Sequence, residues 1–107
     1  MILEIRTYRL QPGLRDEFLN FFTEVNAPAL RAGGMRVSEP MTDLDEPNIV
    51  HWIRGFSSLA DRDRIKDAFY DSDIWHNEIE PIVMPMIVEM TVKLVEGEMP
   101  QLFLASS

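Results

Sequence analysis

Two stretches constrain the fold of this chain most: Ile2 to Leu10 and Ile49 to Phe56 are apolar at both odd and even positions. Successive side chains of a strand point to opposite sides, so each stretch is apolar on both faces. Strands covered on both faces belong in the middle of a sheet. Any architecture for this chain must therefore place these two strands centrally and supply edge strands from elsewhere.

The remaining pattern supplies them. Pro12-Gly13 ends the first strand, and the period then lengthens. Leu14, Phe18, Phe21, Phe22, Val25 and Ala29 mark one side of an amphipathic helix. Pro28 is expected to kink it and Gly33-Gly34 to stop it. Met35, Val37 and Met41 alternate with polar residues as a second strand, and Pro40 puts that strand on an edge. After the Ile49–Phe56 strand, Ser58 reads as a helix N-cap with Asp61 three residues on. Leu59, Ile65, Ala68 and Phe69 form the expected buried stripe of that helix, and a short helix from Ile74 to Glu80 follows, ended by Pro81. Val88, Met90, Val92 and Leu94 alternate with Glu89, Thr91 and Lys93 as a simple edge strand.

The order is strand, helix, strand, strand, helix, strand. It predicts an α+β, ferredoxin-like βαββαβ fold with an antiparallel four-stranded sheet in the order 4-1-3-2. Residues 1–95 form this domain, and residues 96–107 form a tail whose Leu102-Phe103-Leu104 suits docking on a neighbouring subunit. With the helices on the Ile5 and Ile53 side, the opposite face leaves Tyr8, Trp52 and Phe56 uncovered. Such a patch calls for sheet-to-sheet homodimerisation or for a ligand.

Composition excludes several classes. Ten Lys and Arg against eighteen Asp and Glu give a net charge of −8, the opposite of a nucleic-acid surface. The absence of cysteine excludes disulfides and thiolate metal sites. The Ile82–Val88 run is broken by Pro85 and too short for a membrane, and MILEIRTYRL begins directly as a strand. A cytoplasmic protein is expected, with no membrane partner.

Several segments resemble one family. Trp52-Ile53-Arg54-Gly55-Phe56 with Ser58-Leu59, Ala68-Phe69-Tyr70, and Trp75 are similar to the bacterial NIPSNAP family. So is the opening Glu4-Ile5-Arg6-Thr7-Tyr8 with Leu10 and Pro12-Gly13. The resemblance reaches about Val95 and implies a dimeric α/β-barrel, two ferredoxin-like protomers with packed sheets. It implies no settled activity and carries over no catalytic motif. The chain departs from common members after Trp75, where His76-Asn77-Glu78 leads into Pro81-Ile82-Val83-Met84-Pro85.

Alternation places Arg6 and Tyr8 on one face of the first strand, and Trp52, Arg54 and Phe56 on one face of the third. Both sets are expected on the same face of the sheet. That lining suits a flat, anionic or carbonyl-bearing ligand, because arginine offers planar donors and stacks on rings. Tyr8, Arg6 and Arg54 are the catalytic candidates, with Tyr8 donating to a developing oxyanion. Tyr70 and Trp75 are packing groups or a ligand rim. The competing reading pairs Arg6 and Arg54 with Glu4, Glu39 or Glu89 and makes the aromatics interface core.

His51 lies opposite Trp52 and reads as a hydrogen-bonded boundary histidine. His76 and Glu80 are four apart, but no second ligand pair accompanies them, so neither a metal nor a cofactor is expected. Three functions remain: a family member with a small-molecule pocket; a cofactor-free monooxygenase or isomerase acting on an aromatic or polyketide-like compound; or a non-catalytic interaction module. Haem degradation through His51 or His76 is a narrow version of the second.

Overall fold

The computed structural model of the protein describes residues 1–99. In chain order the elements are β1 (Ile2–Leu10), α1 (Arg15–Phe21), α2 (Ala27–Ala32), β2 (Arg36–Val37) and β3 (Met41–Thr42), followed by β4 (Ile49–Phe56), α3 (Leu59–Tyr70), α4 (Glu80–Val83) and β5 (Ile87–Glu96). The sheet order is β2-β4-β1-β5, with β3 also on β4, and every pairing is antiparallel. This is the ferredoxin-like α+β arrangement, with the two doubly apolar strands at its centre. The expected second strand is divided, so the sheet counts five strands rather than four. Pro40 cannot donate to the ladder and lies between the two pieces. Just before it, Ser38 holds the edge by donating its N–H to the Ile53 carbonyl, while its hydroxyl accepts the Ile53 N–H, both at 2.8 Å.

Helix punctuation differs in detail from the sequence expectation. α1 and α2 are one helical stretch joined by a π-helical turn, Phe22–Asn26, and Pro28, which has no N–H to donate, lies in the first turn of α2. Gly34, at φ 103°, ends it as expected. Ser58 caps α3, its hydroxyl accepting the Asp61 N–H at 3.1 Å. The stripe on α3 is rotated, however. Arg62, Lys66 and Tyr70 face the sheet, so Leu59 is 53% exposed and Ala68 points to solvent. Pro81 does not end the following helix. The backbone stays helical from Ile74 to Met86 in three pieces, and Pro81 and Pro85 each lie in the first turn of a new piece, where no N–H is needed.

The largest departure concerns which face the helices cover. They do not take the Ile5 and Ile53 side. Phe18 lies 5.9 Å from Tyr8 and Phe22 lies 4.9 Å from Trp52, so the Tyr8–Trp52–Phe56 side is the interior. Each aromatic ring buries about 150–250 Å². At about 25 cal/mol per Å², covering those three rings outweighs covering isoleucines. Ile5 is left 38% exposed on the open face, beside Thr7, His51 and Ile53. The helices also stop short of β5, whose Met90, Val92 and Leu94 are exposed although they point to the helix side.

β5 extends one residue past the expected domain boundary. Gly97 donates to the Met1 carbonyl at 3.0 Å, and Met99 is buried against the Gly55 backbone. Leu102-Phe103-Leu104 lies outside the described residues. No helix among those described is long and apolar enough to cross a membrane.

Candidate functional site

Antiparallel register assembles the site. Arg6 stands opposite Trp52, Glu4 opposite Arg54, and Tyr8 opposite Val50, all on the helix-covered face. From above, α3 adds Arg62, Lys66 and Tyr70. At the centre is Glu4, whose side chain is 0% exposed. Its Oε1 accepts from Arg54 Nε at 2.8 Å and from Arg6 Nη1, and its Oε2 accepts from Arg62 Nε at 2.8 Å. Arg6 Nε donates to the Tyr8 hydroxyl at 2.9 Å, and Arg54 Nη1 to the Tyr70 hydroxyl at 2.8 Å. The remaining edge of Arg6, Nη2, meets only the thioether of Met90 among the described residues, at 3.2 Å.

Charge states follow from these contacts. Burial alone would push the Glu4 carboxyl up, but the adjacent charges and hydrogen bonds of Arg54, Arg62 and Arg6 outweigh it and hold it below its ordinary value. For Tyr8 burial wins over the lowering by Arg6, so its hydroxyl is pushed up and stays protonated.

Beside this cluster a cleft of about 480 Å³ separates the sheet from the helices. That is within the usual size range for a small-molecule site. Arg6, Tyr8, Trp52, Arg54, Tyr70 and Trp75 all line it. Phe56 does not. It is buried under the Arg54 guanidinium, 5.8 Å from its ring, and serves as core. Both arginines are paired through Glu4, as the structural reading of the sequence held, yet they also border open space. Four basic side chains (Arg6, Arg54, Arg62, Lys66) face two acidic ones (Glu4, Asp67) around the cleft. The Trp52 indole nitrogen is buried without a hydrogen-bond partner among the described residues.

The histidines stand apart from this lining. His51, on the open face, is bound through both nitrogens, to Thr7 Oγ1 at 2.9 Å and Asp43 Oδ1 at 2.7 Å. His76 is exposed, 3.7 Å from Glu80. Neither borders the cleft, so the haem reading through His51 or His76 has no histidine ligand there among the described residues.

Arg62 and Lys66 are contributors that sequence reasoning missed. A signal existed: they follow the N-cap at helical spacing, and Arg62 lies three residues from both Leu59 and Ile65, inside the apolar stripe. Glu4 was legible only as an ion-pair partner, not as a hub for three arginines.

Comparison with known proteins accords with this fold. The NIPSNAP family pattern matches residues 3–98. An uncharacterised NIPSNAP-like domain protein from Burkholderia xenovorans superposes with a TM-score of 0.82 at 24% identity, over 98% of this chain and 94% of its own. A NIPSNAP family protein of unknown function from Agrobacterium tumefaciens gives 0.82 at 23% identity, over 96% and 94%. A putative antibiotic biosynthesis monooxygenase from Nitrosomonas europaea shares the fold at 0.68 and 11% identity, over 91% and 98%. No curated protein matches the sequence.

Proposed function

This chain belongs to the NIPSNAP family, and from that premise we propose that it binds a small organic anion in the cleft between sheet and helices. The observation that carries this reading is the Glu4 hub. One buried carboxylate meets three guanidinium groups, both its oxygens are occupied, and only Arg62 has a further carboxylate among the described residues, the exposed Asp63 at 3.4 Å. The positive charge left over sits at low dielectric beside open space, where an anion gains more than it would in water. Lys66 at the rim adds to the attraction, and exposed Asp67 offsets part of it.

The catalytic version, a cofactor-free monooxygenase or isomerase, draws on a specific observation as well. Tyr8 and Tyr70 bring two phenol oxygens to the arginines, the kind of donor group that stabilises an oxyanion. A base is the weaker half of that reading. Glu4 is fully engaged and both histidines lie elsewhere, which leaves Asp67 as the carboxylate facing the cleft. Fold likeness to a monooxygenase at 11% identity adds nothing about chemistry.

We also propose that the open sheet face mediates homodimerisation. Ile5 is exposed there and Ile49 and Ile53 are half-buried beside it in one protomer, and a second sheet would cover them.

Titration calorimetry of the purified chain with organic acids tests the main reading. Binding should weaken with salt and in Arg62→Gln, whose side chain is the more exposed of the three paired to Glu4. Failure of every anion to bind would leave the interaction-module reading in its place.

A further inference from the structure

We infer that the anion is a carboxylate carried on a flat apolar body, its oxygens held by the Tyr8 and Tyr70 hydroxyls and Arg6 Nη2, and its body lying toward α4 and the start of β5. This rests on the reading that the cleft binds organic anions.

Tyr8, Tyr70 and Arg6 present donors to the cleft, whose lining also includes Asn26 and the exposed carboxylate of Asp67. Each phenol oxygen accepts a hydrogen bond from an arginine, Arg6 for Tyr8 and Arg54 for Tyr70. Its own hydrogen is therefore free to point elsewhere, and among the described residues neither hydroxyl donates to a protein acceptor. Both Glu4 oxygens are taken. Arg6 Nη2 rests on a thioether, a weak acceptor for a buried cation. A ligand must bring the acceptors, and two phenols plus one guanidinium nitrogen match the lone pairs of one carboxylate.

The arginine forks disfavour phosphate. Tight phosphate capture uses the paired Nε and Nη edge of a guanidinium. Here Nε of Arg6 is on Tyr8, and Nε of both Arg54 and Arg62 is on Glu4. Only single nitrogens remain, which suit a compact monoanion.

Polarity then changes along β1. At the Glu4 and Arg6 levels the floor is charged; at Tyr8 it faces Met90, and at Leu10 it faces Ile87. Val83 and Met84 continue the apolar wall. From Arg6 to Leu10 the strand rises about 13 Å at ~3.3 Å per residue, room for a two-ring body behind the acid. Trp75 meets Tyr70 edge-on, with centroids 4.8 Å apart, and gives that body an aromatic side wall.

The test is calorimetry of the full chain with 2-naphthoate, its neutral isostere 2-naphthamide, acetate and inorganic phosphate. Naphthoate should bind about tenfold or more tighter than each of the others: the amide loses a charge-assisted hydrogen bond, and acetate and phosphate lose the buried apolar body. Tyr70→Phe should weaken naphthoate about tenfold and lower the melting temperature, since Arg54 loses an acceptor, while the far-ultraviolet circular dichroism at the assay temperature stays that of the parent; Tyr8→Phe gives the same comparison if the first variant is unfolded there. Acetate or phosphate binding as well as naphthoate overturns the inference while the anion-binding reading stands. An amide that equals the acid, or tyrosine variants that bind naphthoate undiminished, overturn it too. If nothing binds, both ideas fall together.

Discussion

Replacing Glu4 by Gln tests the logic of the buried hub most sharply. The side chain keeps its shape and loses its charge. Arg54 and Arg6 are nearly sealed from solvent and would then share a site with Arg62 and no buried counter-ion, leaving only the exposed Asp63 on Arg62. Breaking a buried pair by removing one partner costs about 3–5 kcal/mol. Three donors depend on this one carboxylate, so about 4 kcal/mol is expected at neutral pH, a large part of the roughly 5–15 kcal/mol that holds a domain of this size together. For a chain of this length that is a fall in melting temperature of about 15–30 °C. Urea unfolding followed by tryptophan fluorescence, repeated from pH 7 downward, measures both the loss and its cause. Glu4 has a folded-state pKa below its ordinary 4.5. Its ionised form therefore contributes stability that is complete above that value and disappears as pH falls through the lower folded pKa. Glu4→Gln cannot titrate there, so the gap between the proteins should close as the parent becomes protonated. A loss below 1 kcal/mol at pH 7, or a gap that stays constant into acid, would refute the idea that Glu4 holds the arginines together by charge.

Other substitutions probe separate links. Trp52→Phe should cost no more than about 1–2 kcal/mol in chemical denaturation, because the indole N–H it removes has no partner among the described residues, whereas Trp52→Ala should cost about 3–5 kcal/mol by opening a cavity under Phe22. Gly34→Ala should lose about 1–2 kcal/mol in the same assay, since its φ of 103° penalises a Cβ even though the Ile65 side chain, 3.5 Å away, leaves ordinary room. Ile53→Glu, on the open face, should shift the protein to monomer in light scattering at micromolar concentration while the far-ultraviolet circular dichroism is retained; a monomeric parent would end the dimer proposal.

The sequence alone determined the succession of elements and the relative side of each residue within them. Period two put Arg6 and Tyr8 on one side of β1, and Trp52 and Arg54 on one side of β4, and no tertiary information was needed for that. Ser58 likewise marked the start of α3 through a local hydrogen bond. What alternation cannot say is which side of a doubly apolar strand meets the helices, because exchanging the two faces leaves the pattern unchanged. That choice was made by burial summed over distant elements. Phe18 on α1 and Phe22 on the π-helical turn that follows it gain most against Tyr8 and Trp52, and the isoleucines are left outside. The same packing carried Arg62 from a helix 58 positions away onto Glu4, kept Phe56 out of the cleft, and left β5 uncovered. Local sequence fixes orientation over one turn or one pleat. A cleft with a buried charged hub exists only when several elements settle against one another, and only the tertiary structure decides that.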